Sequence, residues 1–244
     1  MKLVRILLSV CLLILPFYQV YARILNIGAL SYNPPFEVLS NDKSGRFFGF
    51  EISILQEVCK RINAECRFQS MLFDKIPQHL NSGEIDLAIG AIVITPERSL
   101  NFQFSLPIKE SHLRFLIRSN APFSEIRDLT HKRIAYYKNS PSKELAMKVL
   151  NKKTQLISFS NSMDMLNALE KKEVDAVLTN DSQATYWIAN GSKTLKTLGK
   201  KFKIGEGYGI MAKLGRTDLI SQINKALLDM ENDGTYLAIY KKSF

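Results

Sequence analysis

Short apolar runs alternate along the chain with stretches whose apolar residues recur every three or four positions. The run Ile85–Ile89 suits a strand covered on both faces, and Glu51–Ile62 has the period of a helix with one buried face. The other predicted strands are Ile24–Ala29, Cys66–Gln69, Leu113–Ile117, Arg133–Tyr137, Leu156–Phe159, Val174–Leu178 and Tyr208–Ala212. The other predicted helices are Lys75–Asn81, Pro141–Leu150, Met163–Glu170, Ser182–Ala189 and Leu219–Met230. This alternation predicts an α/β fold with largely parallel sheets.

The strand Ile85–Ile89 leads into a turn that carries a candidate binding residue. Thr95 and Pro96 match the cap and first position of a helix, so Arg98 is predicted on its first turn. That place lies beyond the carboxyl edge of the sheet, where open α/β folds bind ligands. A guanidinium there can hold a carboxylate with two parallel hydrogen bonds. Taken alone, the same residues also fit a surface arginine in a solvated turn.

The first 22 residues have the composition of a secretory signal peptide. Lys2 and Arg5 precede the apolar segment Ile6–Leu15, and Val20–Ala22 provides a cleavage site that ends in a small residue. The apolar segment is too short for an ordinary membrane span. We therefore expect cleavage after about Ala22, which leaves a soluble mature chain.

Composition and charge are those of a globular protein and argue against several other classes. The chain is 46% hydrophobic and 23% charged, which argues against disorder. Its formal net charge of +10 comes largely from scattered lysines, without the basic stripes of nucleic-acid binders. The three histidines lack metal-site spacing, and no nucleophile elbow or phosphate-binding loop is present. We expect no nucleic-acid partner, metal, cofactor or catalytic residue.

Several short motifs become specific when their order and spacing are taken together. They are Pro34-Pro35-Phe36-Glu37, Gly49-Phe50-Glu51-Ile52, Phe73-Asp74, Ser82-Gly83-Glu84-Ile85-Asp86, Thr95-Pro96-Glu97-Arg98, Val174-Asp175-Ala176-Val177, Gly207-Tyr208-Gly209 and Asp233-Gly234-Thr235-Tyr236. Through them, the chain after residue 22 resembles the family 3 extracellular solute-binding proteins, the periplasmic receptors of polar amino acid ABC importers. Receptors for lysine, arginine and ornithine, or for histidine, are the most similar subgroup.

The resemblance implies a two-lobed periplasmic binding protein fold of type II. A discontinuous lobe of about residues 23–112 and 206–244 would flank a continuous lobe of about residues 113–205, joined by two hinge strands. Ligand would bind in the cleft, and the lobes would then close as rigid bodies. The implied partners of this periplasmic monomer are an amino acid and an inner-membrane ABC permease.

Two cysteines, Cys59 and Cys66, follow the signal peptide. An oxidising compartment favours their pairing, and closing so short a loop stabilises a fold by about 2–3 kcal/mol in the chain-entropy model. Two buried thiols are the alternative. The resemblance favours the disulfide, because receptors for cationic amino acids and histidine often carry one at this place.

The resemblance also assigns residues to the ligand's carboxylate. Arg98 matches the arginine that pairs with it, and Ala91 and Val93 occupy the turn whose backbone faces the ligand. Family members often have serine or threonine at the position of Val93, so one hydroxyl is missing. Across the cleft, Ser140 and Ser142 match a helix start that donates to the carboxylate. Ser140 fits a simple helix cap equally well.

The other candidates face the ligand's ammonium and side chain. Asn180 stands where the family has an aspartate for the ammonium, and asparagine accepts a hydrogen bond without bringing charge. Phe73 matches an aromatic that lies against the ligand side chain, with core packing as its alternative. Leu30 replaces an aspartate found in several relatives that bind cationic or amide side chains, and Tyr32 and Asn33 lie nearby. We therefore expect a pocket less acidic than that of an arginine or lysine receptor.

Three hypotheses about function follow from this resemblance. The first is a receptor for a polar amino acid, cationic or neutral, or for a close analogue. The second is an enzyme, because a few relatives on this fold are cyclohexadienyl dehydratases and replacement of the ammonium-binding aspartate suits such a change. The third is a stand-alone periplasmic sensor that presents its closed form to a membrane partner.

Overall fold

The computed structural model describes residues 23–150, 153–190 and 194–244, so the predicted signal peptide lies outside the described residues. The strands are β1 (Arg23–Leu30), β2 (Tyr32–Asn33), β3 (Glu37–Leu39), β4 (Phe47–Phe48), β5 (Ala64–Met71), β6 (Leu87–Ala88), β7 (Phe102–Phe104), β8 (His112–Arg118), β9 (Arg133–Tyr137), β10 (Gln155–Phe159), β11 (Ala176–Asn180), β12 (Leu195–Lys203) and β13 (Met211–Lys213). The helices are α1 (Phe50–Arg61), α2 (Ile76–Ser82), α3 (Pro96–Ser99), α4 (Ser142–Val149), α5 (Ser162–Glu170), α6 (Asp181–Asn190), α7 (Thr217–Asn232) and α8 (Thr235–Ser243). Two short 3₁₀ helices cover Phe73–Lys75 and Ile126–Leu129.

Two five-stranded sheets organise the molecule into two lobes. The first sheet has the order β5-β1-β6-β13-β7 and takes strands from both ends of the chain. The second has the order β10-β9-β11-β8-β12, all from the middle of the chain. A small sheet of β2, β3 and β4 accompanies the first lobe. The two segments that connect the sheets run from β7 to β8 and from β12 to β13.

Each five-stranded sheet is mixed, so the prediction of mostly parallel sheets is wrong. Two neighbouring pairs are parallel and two are antiparallel in the first sheet. The second sheet repeats this division. The parallel pairs are linked by crossover helices, as parallel strands require. The antiparallel pairs involve strands that flank the connections between the lobes, and no crossover constrains these to run parallel.

Both sheets are covered on both faces, as the apolar runs predict. In β6, Leu87 belongs to the core cluster beneath α1 and α7, whereas Ala88 belongs to a second cluster beneath α2. In β8, Phe115 and Leu116 likewise enter different clusters. Such alternation follows from the two-residue period of a strand. The strands that lead to the cleft are therefore fixed by packing on two sides.

The predicted pairing of cysteines is present. Cys59 in α1 and Cys66 in β5 form a disulfide, with their Cα atoms 6.0 Å apart. The bridge ties α1 to the edge strand of the first sheet.

No predicted element corresponds to β2, β3, β4, β7, β12 or α8. The edge strand β12 is rich in lysine, as is common where an edge must resist pairing with other chains. Helix α8 packs Tyr236 and Tyr240 against Phe50 of α1, a contact between distant parts of the sequence. Among the helices that the structure describes, none is long and apolar enough to span a bilayer.

Candidate ligand-binding site

A pocket between the two lobes collects nearly all of the candidate residues. Nine of them line it: Leu30, Asn33, Phe73, Ala91, Val93, Arg98, Ser140, Ser142 and Asn180. Tyr32 lies outside this pocket and lines a separate depression with Ser160, Asn161 and Met163. The physical reason is its place in β2, where successive side chains point to opposite faces. Asn33 therefore points into the pocket and Tyr32 does not.

Arg98 lies on the short helix α3, which begins as predicted. The Thr95 hydroxyl accepts a hydrogen bond of 3.3 Å from the Arg98 N–H, and Pro96 holds the first helical position. The guanidinium donates to the carbonyl oxygens of Val93 at 2.9 Å and of Asn139 at 3.0 Å. It also lies 5.5 Å from the centre of the Phe73 ring.

Arg98 remains charged at neutral pH although its surroundings disfavour charge. Burial lowers its pKa to about 10, while the nearby Glu97 and Glu144 act in the opposite direction. Its two side-chain hydrogen bonds go to neutral carbonyls, and a guanidinium has five N–H groups. The remaining donors can bind an anion in the pocket. A partly desolvated cation of this kind gains most from a carboxylate, which offers two parallel acceptors.

The turn before α3 has a backbone conformation that a buried carboxyl group supports. Gly90 and Ala91 have φ angles of 150° and 49°, and the second is in the left-handed region. That region costs an ordinary residue about 1–2 kcal/mol. Glu51 Oε2 accepts hydrogen bonds from the N–H groups of Gly90 at 2.9 Å and Ala91 at 3.0 Å. The carboxyl group of α1 therefore holds in place the backbone that lines the pocket.

A second buried carboxyl group lies beside Glu51. Glu37 and Glu51 are both 0% exposed, and Glu37 Oε1 accepts from Asn33 Nδ2 at 3.0 Å. Burial, and then the neighbouring Glu51, raise the pKa of Glu37 well above its usual value. Burial also raises the pKa of Glu51. Two adjacent buried carboxylates cannot both be charged at low cost, so Glu37 keeps its proton to a higher pH than an exposed glutamate does.

Asn180 ends β11 and caps α6. It is 8% exposed, and its Oδ1 accepts from the Gln183 N–H at 2.7 Å. The adjacent Asp181 forms an ion pair with Arg114 at 3.1 Å and does not line the pocket. Asp181 therefore cannot replace the charge that is missing at position 180.

Ser140 precedes the cap position of α4, which Pro141 occupies without a side-chain cap hydrogen bond. The Ser140 hydroxyl donates to the Tyr137 carbonyl at 2.6 Å and accepts weakly from the Ser142 N–H at 3.4 Å. Helix α4 begins at Ser142, one residue later than predicted, because Pro141 serves as the residue before the first helical turn. Ser142 is buried and lines the pocket.

A continuous chain of hydrogen bonds crosses the cleft. The Thr179 hydroxyl donates to Gln183 Oε1 at 2.5 Å, and Gln183 Nε2 donates to Asn33 Oδ1 at 2.8 Å. Asn33 in turn donates to Glu37, which adjoins Glu51. All of these groups are buried. This series of hydrogen bonds connects Gln183 of the second lobe, through Asn33, to the buried carboxyl groups of Glu37 and Glu51 in the first lobe.

Other contacts also join the lobes. The Ser162 hydroxyl donates to the Tyr32 carbonyl at 2.6 Å, and Lys138 Nζ lies 3.0 Å from Asp74 Oδ2. The Phe73 ring packs against Tyr137, with 5.9 Å between the ring centres. The cleft is therefore closed in this structure.

Sequence reasoning missed several residues of the site. Those that line the pocket are Gly90, Leu113, Tyr137, Thr179 and Tyr208. Three residues, Glu37, Glu51 and Tyr208, belong to the short motifs that carry the family resemblance. The sequence therefore marked them as important but assigned them no role. Gln183 gave no signal, because its partner Asn33 is 150 residues away.

The comparisons with known proteins agree with this geometry. The family model for bacterial extracellular solute-binding proteins, family 3, matches residues 25–244. This chain belongs to that family. A solved arginine transport-system periplasmic binding protein from Legionella pneumophila is 39% identical, covers 91% of this chain and 100% of its own, and superposes with a TM-score of 0.87. The two-lobed, type II fold is confirmed.

Two further relatives show the range of named ligands. An arginine-binding periplasmic protein from Mannheimia haemolytica is 27% identical over 86% of each chain. An ancestral arginine-binding protein solved with glutamine bound is 32% identical, covers 91% of this chain and 97% of its own, and has a TM-score of 0.83. These family members are binding proteins and not enzymes, as the sequence predicted for this chain. Neither the dehydratase nor the stand-alone sensor is favoured.

Proposed function

We propose that this chain is the periplasmic receptor of an ABC importer and binds an amino acid or a close analogue by its carboxylate. The observation that carries the proposal is Arg98, a charged guanidinium in a closed pocket whose side-chain partners are neutral carbonyl oxygens. A ligand carboxylate supplies the missing negative charge. The names of the relatives support an amino acid as the class of compound.

The pocket favours a neutral polar ligand side chain over a cationic one. Arg98 is the one charged residue among the described residues that line it, and Leu30 and Phe73 provide apolar surface. A guanidinium or ammonium at the end of a ligand would therefore meet no acidic side chain there. Although relatives are named for arginine, an amide such as glutamine suits this lining better.

Closure of the two lobes supports delivery to a transporter. We assign residues 23–112 and 206–244 to the first lobe and 113–205 to the second, with hinges in the segments that connect the sheets. The bonds Gln183–Asn33, Ser162–Tyr32 and Lys138–Asp74 form when the lobes meet. They give the closed monomer a distinct surface for a permease to recognise. The disulfide and the predicted signal peptide support a periplasmic location.

A ligand screen tests the proposal. Thermal unfolding is followed with each of the twenty amino acids, ornithine, citrulline, prephenate and arogenate. A ligand that binds the native state alone stabilises it by about 2.7 kcal/mol at a hundredfold excess over Kd. We expect at least one amino acid or carboxylate analogue to raise the Tm and to be recovered unchanged. Conversion of prephenate or arogenate to product would instead establish an enzyme.

A further inference from the structure

The carboxamide of Asn180 has one possible orientation. Its Oδ1 lies 2.7 Å from the Gln183 backbone nitrogen, which carries a proton and needs an acceptor. The reversed amide would place two donors against each other, so the oxygen must face Gln183. Nδ2 therefore occupies the other edge of a side chain that lines the pocket and is 8% exposed. No described residue accepts a hydrogen bond from Nδ2.

Apart from the buried Tyr137 hydroxyl, which has no hydrogen-bond partner, the neighbouring polar side chains are already engaged. The Thr179 hydroxyl donates to Gln183 Oε1, and the amide of Asn33 accepts from Gln183 and donates to Glu37. The Ser140 hydroxyl donates to a backbone carbonyl. An ammonium placed beside Asn180 would thus face a donor, and no carboxylate among the described residues that line the pocket would balance its charge. Both the ammonium and Nδ2 would lose a hydrogen bond on leaving water.

We propose that Asn180 donates a hydrogen bond from Nδ2 to an acceptor on the ligand. In relatives, an aspartate at this position is expected to bind the ammonium of the ligand instead. The corresponding ligand is a carboxylic acid with a 2-oxo group in place of the 2-amino group. This proposal rests on the proposed function, because Arg98 must first fix the carboxylate in the pocket. An aspartate differs in that one oxygen can cap α6 while the other accepts from an ammonium.

Calorimetry with matched ligands tests the proposal in the wild-type protein and in Asn180→Asp. The pairs are glutamine with its 2-oxo analogue and arginine with its 2-oxo analogue. We expect the wild type to bind one 2-oxo acid at least about tenfold more tightly than its amino acid, because buried unpaired donors are costly. Asn180→Asp keeps the cap and should reverse this preference by about tenfold or more, through a charge-assisted bond to the ammonium.

Two further variants keep the test decisive. Asn180→Ser retains an oxygen that caps α6, and its shorter side chain keeps the hydroxyl donor away from the position of Nδ2, so the preference for the 2-oxo acid should weaken. Asn167→Asp makes the same charge change at an exposed position of α5, and it should leave every preference unchanged.

The possible failures are distinguishable. If the wild type binds an amino acid more tightly than its 2-oxo analogue, and Asn180→Asp leaves that order unchanged, the assignment of Asn180 is wrong while the receptor function stands. If neither class of compound binds, the proposed function fails, and the role of Asn180 fails with it.

Discussion

The two walls of the pocket are both polar, but they are built on different principles. The first wall consists of the Gly90–Ala91 turn and Arg98, and it presents backbone groups and one positive charge. The second wall consists of Ser140, Thr179 and Asn180, whose side chains are neutral and largely bonded within the protein. Electrostatic attraction of the ligand and discrimination between ligands therefore depend on different residues, which lie on opposite walls of the pocket. The first wall can supply affinity for any carboxylate, and the second decides what accompanies that carboxylate.

The largest expected effect is on the first wall. If Arg98 holds the ligand carboxylate, Arg98→Ala should cost about 3–5 kcal/mol of binding free energy, since an unpaired charge remains in a desolvated site. Arg98→Lys should recover part of this loss, because an ammonium lacks the planar fork. Calorimetry with a ligand found by the screen measures both. Arg67→Ala, at an exposed arginine on β5, is the control, and a loss below about 1 kcal/mol in Arg98→Ala would contradict the assignment.

A smaller effect is expected on the second wall. Gln183→Leu removes the buried amide that bridges Thr179 and Asn33. It leaves Asn33 Oδ1 and the Thr179 hydroxyl without their partner. The free energy of unfolding of the closed form should fall by about 1–3 kcal/mol. Ligand affinity should also fall, because the binding-competent state is less populated. Urea unfolding with and without ligand checks this, with Thr185→Ala on the exposed side of α6 as control. Equal effects in the two variants would show that the bridge contributes nothing.

A third effect depends on pH and arises beneath the first wall. The folded protein holds a proton on Glu37 above the pH at which the unfolded chain releases it. The free energy of unfolding should therefore decrease as pH rises from about 4.3 toward the raised pKa, by at most about 1.4 kcal/mol per pH unit. Glu37→Gln keeps an acceptor for Asn33 and needs no proton, so it should gain stability relative to the wild type as pH rises.

Urea unfolding between pH 3 and 8 measures this difference. Glu57→Gln provides a comparison of opposite sign. Burial raises the pKa of Glu57, but hydrogen bonds from Arg61 and Lys60 outweigh it and lower the pKa overall. The stability that Glu57 contributes is present above its unfolded pKa and is lost as pH falls. Parallel pH profiles for the wild type and Glu37→Gln would show that Glu37 is not protonated in the folded protein.

The sequence predicted the first wall better than the second because the first wall is local. Thr95, Pro96 and Arg98 lie within four positions, and the cap and helix start follow from residue types alone. The strand before them has an apolar pattern that β6 and its two core clusters explain. Most of the fold was equally accessible, since crossover helices and buried strands have distinct periods.

What could not be predicted depends on long-range pairing. The bond between Gln183 and Asn33 and the contact of Glu37 with Glu51 leave no trace in local pattern. The antiparallel strand pairs of each sheet were missed for the same reason. The direction of these strands depends on how the chain passes between the two lobes. The orientation of the Asn180 amide required knowledge of its partner at Gln183.

The conformation of the Gly90–Ala91 turn limits how this receptor can change its specificity. At 49°, the φ angle of Ala91 is tolerated at low cost by glycine and, less well, by asparagine or aspartate. A side chain added at Gly90 would come within 3.2 Å of Leu30. New functional groups are therefore difficult to introduce on this side. Laboratory evolution toward another ligand should accumulate substitutions around positions 140, 179 and 180 and leave the turn and its buried carboxyl group unchanged.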